Sequence, residues 1–314
     1  MTQPDPNTKS DAAESGDAWR IALCAFNLAL GGQSPAAFVA GVDARLTRAR
    51  EEGARLLVLP EYVSEAFLAW KPEGLPVTGE LAFMAEEGAR ILPSLEALVA
   101  RHGIGLVAGS MPVPDGKGGF FNRAHVLLPD ASSFVHDKLA LTPFELEADG
   151  WLLTAGGELG VFEHEGLRIA VLICLDVEMP ALSVLLAGLK PDLLIVPSMT
   201  SNLAGYSRVF GCARARAVEL MAAVAACGCV GVAEGATQPA SNVSGASLFL
   251  PCEPTLGYTG IGGEIAATDG MDGEEPFLVA DVPIAEIRRL RSGEAEVWPG
   301  AWSARDVIVK GNDG

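Results

Sequence analysis

Residues 168–180 read RIAVLICLDVEMP, an aliphatic run that leads into a cysteine, two acidic residues and a proline. The unbroken run from Ile169 to Ile173 is typical of a strand that is buried on both faces. Pro180 suits the first turn of a helix. A cysteine at such a strand-to-helix turn can lie at the edge of a sheet and face a cleft. Since most free cysteines are only small buried hydrophobic residues, the stretch alone favours packing over catalysis for Cys174.

Length and composition exclude several classes of function. The chain has 314 residues, of which 49% are hydrophobic, so it can form one large domain or two small ones with a sizeable core. The net charge of −18 argues against nucleic acid and against an anionic membrane surface as partners, because phosphate binding needs clustered Lys and Arg. The longest apolar stretch, residues 220–233, is shorter than the ~20 residues of a spanning helix. We therefore expect no membrane association.

The first residues and the cysteines indicate the compartment. Residues 1–18 are polar, lack the apolar core of a signal peptide and are expected to form a disordered tail. The six cysteines are sparse, which favours free thiols in a reducing compartment over a disulfide framework. Cys227 and Cys229 have no second cysteine or histidine pair nearby, so core packing is the better interpretation of this pair. We predict a cytoplasmic protein with no metal and no cofactor.

Strands alternate with helices in both halves of the chain, and hairpins lie between them. We expect a helix at residues 79–102 that Pro93 interrupts, and a helix at 206–226 followed by a strand at 227–233. The strands are too many for one open sheet, which rarely exceeds ~10 strands. The pattern predicts one α/β domain over residues 19–291, with mixed sheets that carry helices on their outer faces. Residues 292–314 read as an irregular C-terminal extension with Trp298 and Trp302 as anchors.

Two other ionisable residues end apolar strands. Glu61 follows the run LLVLP at 56–60, and Lys138 ends the run FVHDK at 134–138. Taken singly, Glu61 reads as a solvated loop acid and Lys138 as a surface charge. Residues at the carboxyl ends of strands, however, form the sites of α/β folds. Together with Cys174 they supply a thiolate nucleophile, a carboxylate to accept its proton and an ammonium to stabilise an oxyanion.

This set of residues resembles the nitrilase, or carbon–nitrogen hydrolase, superfamily. The segments LPE at 59–61, DKLALTPFE at 137–145 and ICLDVEMP at 173–180 match the three family motifs in order. Weaker matches follow later in the chain, and they are RARAVE at 214–219, GAS at 245–247, GEI at 263–265 and LVADV at 278–282. The resemblance covers residues 20–291.

The resemblance implies a four-layer α-β-β-α sandwich of two mixed sheets with helices outside. It implies Cys174 as the nucleophile, Glu61 as the general base and Lys138 as the group that assists the oxyanion. It further implies the Leu175 backbone N–H as a second oxyanion donor, and Glu145 as the glutamate that positions the lysine and the substrate. By the same analogy we expect a homodimer or a higher even-numbered homo-oligomer, with the extension at 292–314 at an interface.

The expected reaction is hydrolysis of a non-peptide C–N bond of a small amide by water. True nitrilases typically carry Cys-Trp-Glu where this chain has Cys174-Leu175-Asp176, so the amidase and carbamoylase branches are favoured. N-carbamoyl amine hydrolysis and nitrile hydrolysis stay open as alternatives. A non-catalytic scaffold and a redox thiol protein are the alternatives of a different class. From their positions after strands, we expect four residues in the substrate pocket, namely Trp151, Thr200, Asn202 and Tyr206.

Overall fold

The computed structural model describes residues 19–147, 151–237, 239–297, 304–308 and 310. The predicted tail at 1–18 and the predicted anchors Trp298 and Trp302 lie outside the described residues. Within those ranges the strands are β1 (Arg20–Cys24), β2 (Leu56–Leu59), β3 (Gly105–Pro114), β4 (Phe120–Leu127), β5 (Ser133–Asp137), β6 (Val161–His164), β7 (Leu167–Val171), β8 (Leu193–Ser198), β9 (Ala223–Gly228), β10 (Ser244–Phe249), β11 (Ile261–Thr268) and β12 (Phe277–Asp281). The α-helices there are α1 (Pro35–Glu51), α2 (Val77–His102), α3 (Pro143–Leu146), α4 (Pro180–Leu189), α5 (Leu203–Leu220) and α6 (Ile284–Arg289).

The described strands form two mixed sheets with matching layouts. The first has the order β12-β1-β2-β3-β4-β5 and the second the order β11-β10-β9-β8-β7-β6. In each sheet three neighbouring strands run parallel, β1-β2-β3 in one and β7-β8-β9 in the other. Antiparallel strands flank both parallel groups. The carboxyl ends of the parallel strands lie at one end of each sheet, and that end carries the site described below.

The two sheets pack face to face, and helices cover their outer faces. Ile21 and Leu23 of β1 share a hydrophobic cluster with residues of β8 and β9, whereas the alternate residues Ala22 and Cys24 share a second cluster with Phe38 of α1. This alternation follows from the two-residue period of a strand, which points successive side chains to opposite faces. The predicted four-layer sandwich of two mixed sheets is confirmed.

Most predicted elements agree with the structure to within three residues, but the predicted boundary between α5 and the strand that follows it is wrong. The helix ends at Leu220, Met221 adopts a positive φ of 46°, and β9 begins at Ala223, so residues 223–226 belong to the sheet. This stretch is rich in small apolar residues that do not distinguish a helical period from a strand period. Pairing of β9 with both β8 and β10 fixes it as a strand.

The expected interruption at Pro93 is also wrong, since α2 is continuous from Val77 to His102 and contains this proline. A proline inside a helix removes one backbone hydrogen bond and costs about 3 kcal/mol. The neighbouring side chains Ile91 and Leu95 are buried in the second cluster, and this packing holds the helix together across the proline. None of the helices in the described ranges is both long and apolar enough to cross a membrane.

Candidate active site

Three separate strand ends bring Glu61, Lys138 and Cys174 to one cavity of about 280 Å³. Glu61 lies two residues after β2, Lys138 directly after β5, and Cys174 three residues after β7. All three side chains are almost fully buried. The described residues that line the cavity are Glu61, Tyr62, Glu65, Lys138, Thr142, Phe144, Glu145, Trp151, Cys174, Met199, Ser201 and Pro239. The cavity is therefore of a size for a small molecule.

Cys174 occupies a strained turn. It begins the 3-10 helix Cys174–Glu178 and has a positive φ of 48°, a conformation that costs energy for a residue with a side chain. Its thiol donates a weak hydrogen bond to the carbonyl oxygen of Met199, with Sγ 3.6 Å from that oxygen. Burial raises the pKa of Cys174, and the nearby charge of Glu61 raises it further. The thiol therefore holds its proton at neutral pH and needs a base to become a nucleophile.

Lys138 joins the two carboxylates that flank it. Its Nζ lies 2.8 Å from Glu61 Oε1 and 2.8 Å from Glu145 Oε2. Burial lowers the pKa of Lys138, but the charges of Glu61 and Glu145 outweigh it and raise the pKa above its ordinary value. The lysine is thus a permanent cation at this position.

The two carboxylates have different proton affinities. Burial raises the pKa of Glu61, and the opposing charge of Lys138 only partly offsets this. Glu145 is also subject to burial, yet Lys138 and the hydrogen bonds from Thr142 and Tyr62 bring its pKa below the ordinary value. Glu145 therefore stays ionised, whereas Glu61 can accept and release a proton.

Neutral hydrogen-bond donors complete this network, and sequence reasoning missed them. Asn122 Nδ2 donates to Glu61 Oε1 at 2.9 Å, and the Tyr62 hydroxyl donates to Glu145 Oε1 at 2.7 Å. The backbone N–H and the hydroxyl of Thr142 donate to Glu145 Oε2 at 2.8 and 2.9 Å. The Thr-x-x-Glu spacing at 142–145 is a capping-box signal and could have identified Thr142. No local signal marks Asn122, which comes from β4.

Asp176 connects the cysteine turn to the lysine loop. Its Oδ1 accepts hydrogen bonds from the backbone N–H groups of Leu139 and Ala140, at 3.0 and 2.7 Å. Its Oδ2 accepts one from Ile173 N–H at 3.0 Å and lies 3.2 Å from His136 Nε2. Because these contacts reach both the lysine loop and the residue before Cys174, the side chain of Asp176 fixes the spacing between nucleophile and cation.

Of the four residues expected in the substrate pocket, Trp151 lines the cavity and the other three do not. The Thr200 hydroxyl donates to Val243 O, and Asn202 caps α5 by accepting a hydrogen bond from Gly205 N–H. Tyr206 stacks on Phe210 with 4.3 Å between ring centroids. Thr200 and Asn202 lie in the loop after β8, and it is Met199 and Ser201 of that loop that line the cavity. Position after a strand cannot tell which residue of a loop points inward.

One wall of the cavity contains polar atoms without partners. Glu65 is only 1% exposed, and its Oε1 has no hydrogen-bond partner among the described residues. Burial and the charges of Glu80 and Glu61 raise the pKa of Glu65 well above its ordinary value. These surroundings therefore favour the uncharged carboxylic acid form of the Glu65 side chain. The Trp151 indole Nε1 is likewise buried without an acceptor in the described part of the chain.

The described residues contain no group of three or more His, Cys, Asp or Glu side chains that could hold a metal ion. The chemistry available at the cavity is that of a thiol, carboxyl groups and one ammonium.

Comparison with known proteins gives the family. The model of the carbon–nitrogen hydrolase family matches residues 20–253, which is most of the chain. The chain therefore belongs to the carbon–nitrogen hydrolase family, and the assignment made from its sequence motifs is confirmed.

Two curated relatives from Bacillus subtilis (strain 168) are similar to the chain. A protein described as probable hydrolase YhcX is 28% identical over 194 residues, which is 62% of this chain and 36% of that protein. The match thus spans about a third of that relative's length. The 2-oxoglutaramate amidase is 26% identical over 238 residues, which is 76% of this chain and 82% of that enzyme.

Solved structures of an amidase from Nesterenkonia sp. AN1 share the fold. One is a glutamate mutant with the acetamide moiety of fluoroacetamide covalently added at the active-site cysteine. It has a TM-score of 0.67 and 23% identity, and the match covers 91% of this chain and 98% of that one. Another is a cysteine mutant in complex with butyramide, with a TM-score of 0.66, 23% identity, and 88% and 95% coverage. This similarity supports the sandwich described above.

Proposed function

We propose that this chain hydrolyses the C–N bond of a small amide through a thioester on Cys174, with Glu61 as the base and Lys138 as the oxyanion-stabilising cation. The observation that carries the proposal is the convergence of a buried thiol, a carboxyl group with raised pKa and a fixed ammonium at one small cavity. Each group serves a step that the others cannot perform.

In the first half of the reaction Glu61 takes the proton of the Cys174 thiol while the sulfur attacks the amide carbonyl carbon. The carbonyl electrons move to oxygen, where the Lys138 ammonium stabilises the negative charge. The backbone N–H of Leu175 is the second donor, since N–H groups in the first turn of a helix have no intrahelical acceptor. The C–N bond then breaks, and the departing nitrogen takes the proton from Glu61.

In the second half a water molecule gives a proton to Glu61 and its oxygen attacks the thioester carbonyl. The C–S bond breaks, the carboxylic acid leaves, and the proton on Glu61 returns to the sulfur of Cys174. One carboxyl group thus alternates between base and acid, and the raised pKa of Glu61 suits both roles. Glu145 stays ionised and holds the lysine in place, which supports the positioning role proposed for it.

The amidase reaction is favoured over the other reactions of the family by the relatives with named activities. One curated relative is a 2-oxoglutaramate amidase, and the Nesterenkonia enzyme binds acetamide and butyramide derivatives. The small cavity supports a substrate of similar size.

The proposal is tested by ammonia release from a panel of small amides, carbamoyl amines and nitriles. Wild type should release ammonia from amides, and Cys174→Ala should lower the rate at least about 10⁴-fold because it removes the nucleophile. Cys252→Ala is the matched control, since Cys252 is an exposed free thiol outside the cavity, and this variant should keep full activity.

Ammonia release that persists in Cys174→Ala would remove Cys174 from the mechanism. Labelling by an electrophilic amide such as fluoroacetamide, read by mass spectrometry, distinguishes the alternatives. Preferential labelling of Cys174 supports the amidase, whereas equal labelling of all accessible thiols supports a scaffold or a redox thiol protein.

Assembly and compartment are further parts of the proposal. By analogy with its family, the chain forms a homodimer or a larger even-numbered oligomer, with residues 292–314 at an interface. The free cysteines support a reducing, cytoplasmic compartment. Light scattering of the full chain and of a chain truncated after residue 291 tests the assembly, since loss of the oligomer on truncation is the expected result.

A further inference from the structure

We propose that Glu65 selects amides whose acyl chain carries a cationic amino group, by pairing its carboxylate with that ammonium at the wall of the cavity. The inference rests on the proposed amide hydrolysis at Cys174 and adds the charge of the substrate. It assigns to Glu65 a role in specificity that none of the reacting groups can fill.

Glu65 is the one carboxyl group of the described cavity wall that no cation approaches. Glu61 and Glu145 share Lys138, whereas Glu65 has an unpartnered oxygen and only the acids Glu80 and Glu61 as charged influences. A buried polar group without a partner is costly and is rare in folded proteins. A substrate ammonium would supply the missing partner.

Among the described residues, Glu65 lies outside the hydrogen-bond network around Lys138. It lies on the 3-10 helix Val63–Trp70, which follows Glu61 directly in the chain. Both glutamates line the same cavity, but Glu65 forms no hydrogen bond with Lys138 in the described structure. Because Glu65 lines the same cavity without a hydrogen bond to Lys138, it is available to contact another part of the substrate while Cys174 attacks the amide.

Aromatic side chains that line the same cavity as Glu65 also suit a cation. Tyr62, Phe144 and Trp151 line the cavity and pack edge to face, with centroid distances of 4.7 Å for Tyr62–Trp151 and 5.5 Å for Phe144–Trp151. The faces of aromatic rings attract cations, especially where water is excluded. The lining of the cavity therefore combines the carboxyl group of Glu65 with aromatic side chains.

An anionic substrate has no counterion at this wall. Among the described residues that line the cavity, Lys138 is the single cation, and two carboxylates already occupy it. A substrate carboxylate beside Glu65 would place two acidic groups next to each other in a buried site, where each disfavours the ionised form of the other. The 2-oxoglutaramate of the curated relative carries such a carboxylate, so we expect this chain to differ from that enzyme in substrate charge.

Binding of a cation should change the protonation of Glu65. Burial, together with the charges of Glu80 and Glu61, raises the pKa of Glu65 well above its ordinary value and so favours the uncharged carboxyl group. An adjacent ammonium lowers that pKa and releases the proton to solvent, which leaves an ion pair in place of a lone acid. The affinity for a cationic amide should therefore rise with pH, whereas that for a neutral amide should not.

The experiment compares three amides of similar length, namely γ-aminobutyramide (cationic), valeramide (neutral) and succinamate (anionic). Their dissociation constants are measured by calorimetry on Cys174→Ala, so that turnover does not enter, and their kcat/KM values on wild type. We expect γ-aminobutyramide to bind tightest and succinamate weakest. Adding Glu65→Gln should weaken the binding of γ-aminobutyramide about 10- to 100-fold, the range for loss of a charged hydrogen bond, and should leave valeramide nearly unchanged.

Glu87→Gln is the matched control, because Glu87 is also a buried glutamate but does not line this cavity, and it should leave the order of the three amides unchanged. Equal or tighter binding of valeramide, or equal loss of all three ligands in Glu65→Gln, would overturn the inference and make Glu65 a neutral structural acid. Binding selectivity without any turnover would instead contradict the proposed hydrolysis and keep the inference. Turnover of amides without a preference for the cation would do the reverse.

Discussion

The carboxyl groups that line the cavity have two different kinds of surroundings. On the catalytic wall, Glu61 and Glu145 share Lys138 and receive hydrogen bonds from Asn122 and Tyr62. Elsewhere in the lining of the same cavity, Glu65 is equally buried, and its Oε1 has no hydrogen-bond partner among the described residues. Pairing with Lys138 holds two buried carboxyl groups in position, whereas the protonation of an unpaired buried acid depends on what binds beside it. The first arrangement suits chemistry and the second suits recognition of a ligand.

The largest effect is expected from Lys138→Met, which removes the cation that Glu61 and Glu145 share. The change leaves Glu61 and Glu145 buried without a cation, so the free energy of unfolding at pH 7 should fall by about 3–5 kcal/mol. The oxyanion also loses its charged donor, and kcat should fall at least about 10³-fold. Denaturant unfolding and amide turnover measure the two quantities.

The loss of stability in Lys138→Met should shrink as the pH falls. Without the lysine, burial raises the pKa of both carboxyl groups above their unfolded values, so protonation at lower pH removes the unpaired charges. Lys117→Met is the control, because Lys117 is exposed and lies outside the cavity. Wild-type stability in Lys138→Met would show that the lysine does not hold the two carboxylates.

A smaller effect is expected from Asn122→Ala, which removes a neutral hydrogen-bond donor to Glu61. Asn122 Nδ2 stabilises the ionised form of Glu61, so its loss should raise the pKa of Glu61 further. We expect kcat/KM for a neutral amide to fall roughly 10- to 100-fold near neutral pH, since the hydrogen bond to a charged group is worth about 1.5–3 kcal/mol. The pH profile of kcat/KM should show its acid limb at higher pH.

Asn242→Ala separates this effect from a general loss of packing. Asn242 is buried and donates to Gly231 O away from the cavity, so its removal should lower stability and leave the acid limb in place. An unchanged acid limb in Asn122→Ala would mean that this asparagine does not tune the base.

The smallest effect is expected from Glu65→Gln, which replaces the unpaired carboxyl group, on the pH profile of kcat/KM. Glu61 must be ionised to accept the thiol proton, and burial raises its pKa. The kcat/KM for a neutral amide should therefore reach its maximum at higher pH, where Glu61 is ionised. It should decline as the pH falls through the pKa of Glu61, which burial raises above the ordinary value of a carboxyl group. Because burial favours the uncharged form of Glu65 as well, Glu65→Gln should move this acid limb by less than about 0.5 pH unit. Loss of the acid limb in this variant would assign it to Glu65 instead of Glu61.

The sequence was sufficient for the sheets but not for every boundary. Runs such as residues 56–59 and 169–173 are apolar without interruption, and a strand buried on both faces is the structure that accepts them. The alanine-rich run after α5 carries no such signal, because small apolar side chains fit a buried helix as well as a buried strand. Its pairing with β8 and β10 decides the matter.

For the site, the sequence by itself determined which reactive groups are available. Glu61, Lys138 and Cys174 could be selected because each is an ionisable residue that follows an apolar strand, and α/β folds place their sites at the carboxyl ends of strands. Only the tertiary structure decided their surroundings. Asn122 lies on β4, which β3 separates from β2, yet its side chain reaches Glu61. Glu65 Oε1 has no hydrogen-bond partner among the described residues. Neither fact has a local signature in the sequence. Charge state in a buried site depends on every group that packs around it, so it is a property of the folded chain and not of the residue.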